Sequence, residues 1–138
     1  MVSAAARVAA PLPESYGKGT RGAGGVLPRL AVQARGEDLL LGLHGGVGGG
    51  VAVLLVGSAP APDFIQARGV LVALDMDTAF RTLVLDGSPG EPGAGNAELR
   101  LPSSVFEGPG AYAQLAVLDP AAPGGLALSE GLKIPLQR

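Results

Sequence analysis

Turn-forming residues break this chain at intervals of about 8–12 residues, and that spacing constrains its fold more than any other feature. Gly and Pro together are 35 of 138 residues. The segments between them are rich in Leu and Val. Arg29 to Ala34 alternates Leu30, Val32 and Ala34 with Arg29, Ala31 and Gln33, the period-two signature of a strand. Asp38 to Leu43 and Val51 to Val56 are two further apolar runs, separated by Gly45 to Gly50, and the pair reads as a hairpin. Ala59 to Asp63 (APAPD) breaks the second run. Val70 to Leu74, Phe80 to Leu85, Ala97 to Leu101, Ala111 to Leu118, Leu126 to Leu128 and Leu132 to Leu136 complete the set. Beyond residue 16 no segment carries apolar residues at i, i+3, i+4 and i+7 over three turns, so parallel βαβ units are not expected. The spacing predicts an all-β fold: an antiparallel β-sandwich of about eight short strands, Ig-like or Greek-key in style.

Composition decides whether such a chain folds. A quarter Gly plus Pro would suit a low-complexity segment. But Leu, Val, Phe and Ile supply 39 of 138 residues, above the roughly 20% floor for disorder, and the net charge is only −2. The length suits one domain. Residues 17–138 read as the sandwich, and residues 1–16 as an N-terminal arm. Ser3 to Ala10 is small and weakly apolar and fits either a short helix or an extended arm, with Ala4, Ala6, Val8 and Ala10 then on one face. Met1 to Pro13 lacks a basic start followed by a strongly apolar run, so it does not read as a signal peptide. No run of about 18 apolar residues is present, so no membrane-inserting helix is expected. The small net charge and sequence pI near 5.3 argue against a nucleic-acid partner. Cysteine is absent, which excludes disulfides, thiolate nucleophiles and cysteine-held metals.

The candidates for chemistry are few, and each has a structural reading. His44 is the only histidine, so a triad or a His-metal cluster would rest on it; at a strand end beside glycines it reads as a solvated turn residue. Gly45 to Gly50 lacks the helix start and the Gly-Lys-Ser/Thr of a phosphate loop, and reads as a turn. Asp63, Asp75 and Asp77 are the densest acidic group but supply too few oxygens for calcium, so turn capping is the reading. Asp119 in LDPAAPGG folds a turn with Pro120 fixing φ and Gly124–Gly125 at positive φ; a glycosidase pair with Glu107 or Glu130 has no support. Tyr112 at the start of the strongest strand fits a corner tyrosine bonded back to backbone. Five aromatic residues and no Trp support a sugar platform poorly. The eight arginines are scattered, as on solvated faces and protected edges. No catalytic constellation, cofactor site or metal site emerges.

Three stretches carry a resemblance. They are YGKGTRGAGGVLPRLAV at 16–32, VAVLLVGSAPAP at 51–62 and AYAQLAVLDPAAPGGLALSEGLKIPL at 111–136. The pattern Q-x-x-V-L-D-P-x-A-P-G-G-L-A-L-S-x-G-L in the last is the most distinctive. Together they resemble an uncharacterised β-sandwich module at the C-terminal ends of large secreted bacterial proteins. The resemblance implies an accessory role without assigned enzymatic activity, outside the cell or at its surface. That module usually carries two cysteines at places that here look like Arg21 and Gly69, so this chain is a cysteine-less variant. The loss fits folding where disulfides do not form, or stabilisation by assembly, and leaves the cytoplasm open.

The expectation is a non-enzymatic structural or interaction module that associates with copies of itself as a homo-oligomer or polymer, such as a filament or surface-layer subunit. The arm would supply β-strand addition, with Ala4, Ala6, Val8 and Leu12 filling a partner's groove or docking on its own domain. The alternative is a monomeric extracellular binding domain dependent on carbohydrate or calcium.

Overall fold

A computed structural model describes residues 7–8, 13–35, 38–74, 78–102 and 110–137. Its strands are β1 (Arg7–Val8), β2 (Glu14–Tyr16), β3 (Arg29–Arg35), β4 (Asp38–Gly46), β5 (Val51–Gly57), β6 (Ala79–Val84), β7 (Gly95–Pro102), β8 (Gly110–Leu118), β9 (Leu126–Leu128) and β10 (Gly131–Gln137). Among the described residues one short α-helix, α1 (Asp63–Gln66), follows Pro62. All pairings between these strands are antiparallel.

Two sheets form a β-sandwich. The large sheet runs β1-β10-β8-β5-β6, with β2 also on β10 and β9 also on β8; the small sheet runs β3-β4-β7. The apolar runs read in the sequence become the core. β4 turns Leu39, Leu41 and Leu43 inward, and β5 and β8 answer with Leu54, Val56, Leu115 and Val117, all at most 1% exposed. Ile134 of β10 joins the same cluster. Burying a Leu or Val of this kind contributes roughly 1.5–3 kcal/mol.

Two expectations are corrected. β4 and β5 are not a hairpin: β4 pairs with β3 and β7, β5 with β6 and β8. The Gly45–Gly50 segment instead carries the chain across the core, so the apolar rows of β4 and β5 face each other. Val70 to Leu74 is not a strand. It makes one isolated bridge, Pro60 to Val72, and buries the adjacent Leu71 and Val72 together, which a half-buried strand cannot do.

The first sixteen residues, where described, belong to the large sheet. Val8 pairs with Leu136, and Tyr16 with Gly131, both on β10 of the same chain. The described parts of the arm, β1 and β2, thus pair with β10 of the same chain. Ala4, Ala6 and Leu12 lie outside the described residues.

Candidate functional site

The outer face of the large sheet divides into a roofed half and an open half. The roof is formed by residues 58–74 between β5 and β6, which include α1. It buries Ala61, Leu71 and Val72 against the sheet. Gln114 of β8 holds it. Its side chain is 1% exposed on the outer face of an otherwise apolar strand. Its Oε1 accepts from the Leu71 N–H at 2.9 Å, and its Nε2 donates to Gly69 O at 2.8 Å and Ser129 O at 3.1 Å. Three partners satisfy the amide, so its burial is not a penalty.

Tyr16 pins the same roof. Its hydroxyl donates to Leu71 O at 2.7 Å. Burial, helped by the neighbouring Tyr112, pushes its pKa up from 10.0 to about 12, so it stays a donor. The backbone bond expected of Tyr112 is thus made by Tyr16. Tyr112 supplies a ring instead, edge-on to Tyr16 with centroids 5.9 Å apart.

Asp119 ties the opening loop to the closing turn. It is 3% exposed. One carboxylate oxygen accepts from Ala23 N at 2.7 Å and the other from Ala121 N at 2.9 Å. Gly124 and Gly125 hold φ of 67° and 81° in the turn that Pro120 enters. Gly22 lies so close to the carboxylate that a Cβ there would overlap it. Thr20 meanwhile bonds Leu128 in both directions. The stretches at 16–32 and 111–136 therefore form one knot in space. Arg21 sits in that knot, its Nη1 donating to Gly25 O at 2.9 Å. Gly69 belongs to the roof, and its φ of 97° is one that a cysteine rarely adopts.

The remaining candidates do not converge. The exposed His44 Nδ1 lies 3.2 Å from Asn96 Oδ1. It shares a shallow groove on the small sheet with Gln33 and Glu98, and among the described residues no Ser, Thr, Cys or Lys lines that groove. A second cleft, lined in part by Lys18, Asp63, Gln66 and Arg68, lies beside the roof. Asp63 opens α1 and is exposed, while Asp75 and Asp77 lie outside the described residues, as does Glu107. Among the described residues no group of three or more His, Cys, Asp or Glu is placed to hold a metal. Among the described residues no helix is long and apolar enough to cross a membrane.

The open half is different in kind. Phe80 and Val84 of β6 are 53% and 72% exposed, and Leu118 of β8 is 52% exposed. Val51 and Leu126 are also exposed. Cross-strand pairing joins them: Val84 lies opposite Val51, Leu118 opposite Leu126, and Phe80 opposite Leu55. The result is an apolar surface on the outer strand faces, interrupted by Thr82 and ending at the far edge of β6, which pairs with no further strand among the described residues. A signal for it stands in the sequence. FRTLVL carries large apolar residues in both phases of its alternation, Phe80 and Val84 in one and Leu83 and Leu85 in the other, a pattern of strands covered on both faces. Gln114 also has a signal, as the one amide within AYAQLAVL. Comparison of the chain with protein-family models, curated proteins and solved structures finds no match.

Proposed function

We infer that the chain is a non-enzymatic structural module that associates with copies of itself by β-strand addition. The observation that carries this reading is the apolar surface of Phe80, Val84, Val51, Leu118 and Leu126, which runs to a sheet edge that pairs with no further strand among the described residues. Contiguous exposed apolar surface of this sort marks interaction sites, and an unpaired edge offers backbone donors and acceptors to another strand.

The arm offers a second route to the same end. Arg7–Val8 pairs with the end of β10, and exchange of that strand between copies would reproduce the same pairing in trans. Sedimentation velocity over a wide concentration range tests the reading, on the full chain and on a chain starting at Glu14. The expected result is a sedimentation coefficient that rises with concentration in both. A full chain that stays monomeric throughout overturns self-association. Association lost only in the shortened chain assigns it to the arm.

A further inference from the structure

We propose that a second copy of this chain docks on the free edge of β6 about a two-fold axis at Thr82, joining the two large sheets into one. The proposal rests on the self-association inferred above and names its contact.

The hydrogen-bond phase of β6 sets the register. Leu85 N donates to Gly50 O at 2.8 Å, just beyond the pairing of Val84 with Val51. In an antiparallel ladder, residues alternate between bonding one neighbour and the other. Ala79, Arg81 and Leu83 therefore spend their backbone groups on β5. Phe80, Thr82 and Val84 turn theirs to the free side. These same three residues carry the exposed outer-face side chains.

A strand with that pattern is complementary to itself. Two-fold pairing about Thr82 sets Thr82 opposite Thr82 of the second copy, and Phe80 opposite its Val84. Each such pair exchanges two backbone hydrogen bonds. The side-chain rows then continue across the junction as aromatic against β-branched, a favourable cross-strand pair. No charged side chain lies in that row, while on the opposite face the two Arg81 side chains become diagonal neighbours. Arg81 stands on the opposite face, and its Nη1 donates to Phe80 O at 3.1 Å in the single chain. That bond is exposed and is given up when the second copy's Val84 N–H takes the carbonyl.

The contact is small. Pairing the two edges covers at most the exposed parts of Phe80, Thr82 and Val84 in each copy, well under the roughly 1,200 Å² of a stable specific interface. Such an interface makes a reversible dimer.

The absence of cysteine provides a clean test. Paired Thr82 positions would bring their Cα atoms to about 5.5 Å, within disulfide reach. Thr82→Cys is therefore expected to form a disulfide-linked dimer on mild oxidation. Arg81→Cys, whose partner is Leu83 of the second copy, is expected to stay unlinked. Thr82→Pro removes a donor that only the second copy uses, and should leave a folded monomer by sedimentation and circular dichroism. Should the proline variant fail to fold, the cysteine pair decides alone. If the wild-type chain associates but Thr82→Cys does not cross-link faster than Arg81→Cys, the proposed contact is wrong and self-association lies elsewhere. If the wild-type chain is monomeric at every concentration, both readings fall together.

Discussion

Gln114 contributes more to the roof than any other single side chain described. Replacing it with Leu leaves the Leu71 N–H and the Gly69 carbonyl without their partners. Each buried unsatisfied group costs about 1–3 kcal/mol. The expected loss for Gln114→Leu is roughly 2–6 kcal/mol, read from the urea midpoint. A loss within error would mean the roof is not held by this amide. Tyr16 gives a pH signature. In the fold its hydroxyl keeps its proton to about pH 12, while its ordinary pKa is 10.0. Between these values the folded chain binds a proton that the unfolded chain has released. Stability therefore falls as pH rises through that window, and this group adds no slope below it. Tyr16→Phe should flatten the alkaline limb of a stability profile. An unchanged slope would assign the effect to another group.

At the scale of elements, the two halves of the large sheet differ in how they are held. The strands β5 and β8 are paired on both edges and face the core. The roof is pinned by a few side-chain bonds and by backbone bonds such as Ala73 N to Ala59 O at 3.0 Å. Its amides at Leu71 and Ala73 are expected to exchange hydrogen faster than those of Leu54 and Leu115, through local opening. Equal protection would make the roof part of the global cooperative unit. Between β9 and β10 the ladder on β8 is kept by a side chain: Leu115 N donates to Ser129 Oγ at 2.9 Å, and the hydroxyl donates to Glu130 O at 2.8 Å. Leu115→Ala, at full burial, should cost about 2–5 kcal/mol by leaving a cavity between the sheets.

For the whole molecule, the sandwich satisfies its inner faces and leaves one outer surface apolar. If copies cover that surface, association stabilises the folded state by mass action. The melting temperature should then rise with protein concentration, and Val84→Lys should remove the rise while leaving the dilute-limit value nearly unchanged. A melting temperature independent of concentration would count against association of the folded chain.

Much of this architecture was legible in the sequence because it is local. Alternation of Leu39, Leu41 and Leu43 requires one buried face, and Asp119 with Pro120 and Gly124–Gly125 requires a tight turn. The strands β3 to β10, their boundaries within a few residues, and the sandwich class followed from such signals, while β1 and β2 read only as an arm. What the alternation could not state is which sheet a strand joins. A hairpin within one sheet and an arch across the core bury the same residues of β4 and β5, so Gly45–Gly50 was open to either. Leu71 and Val72 likewise read as a strand, because their burial beneath Tyr16 and Gln114 depends on residues 43 or more positions away. The choice of Tyr16 over Tyr112 as the tyrosine bonded to backbone, and the free edge of β6 beside an apolar face, arise only when distant segments meet. Sequence determines local conformation and which faces seek burial; tertiary packing decides what covers each face, because that free energy belongs to pairs of elements and not to either alone.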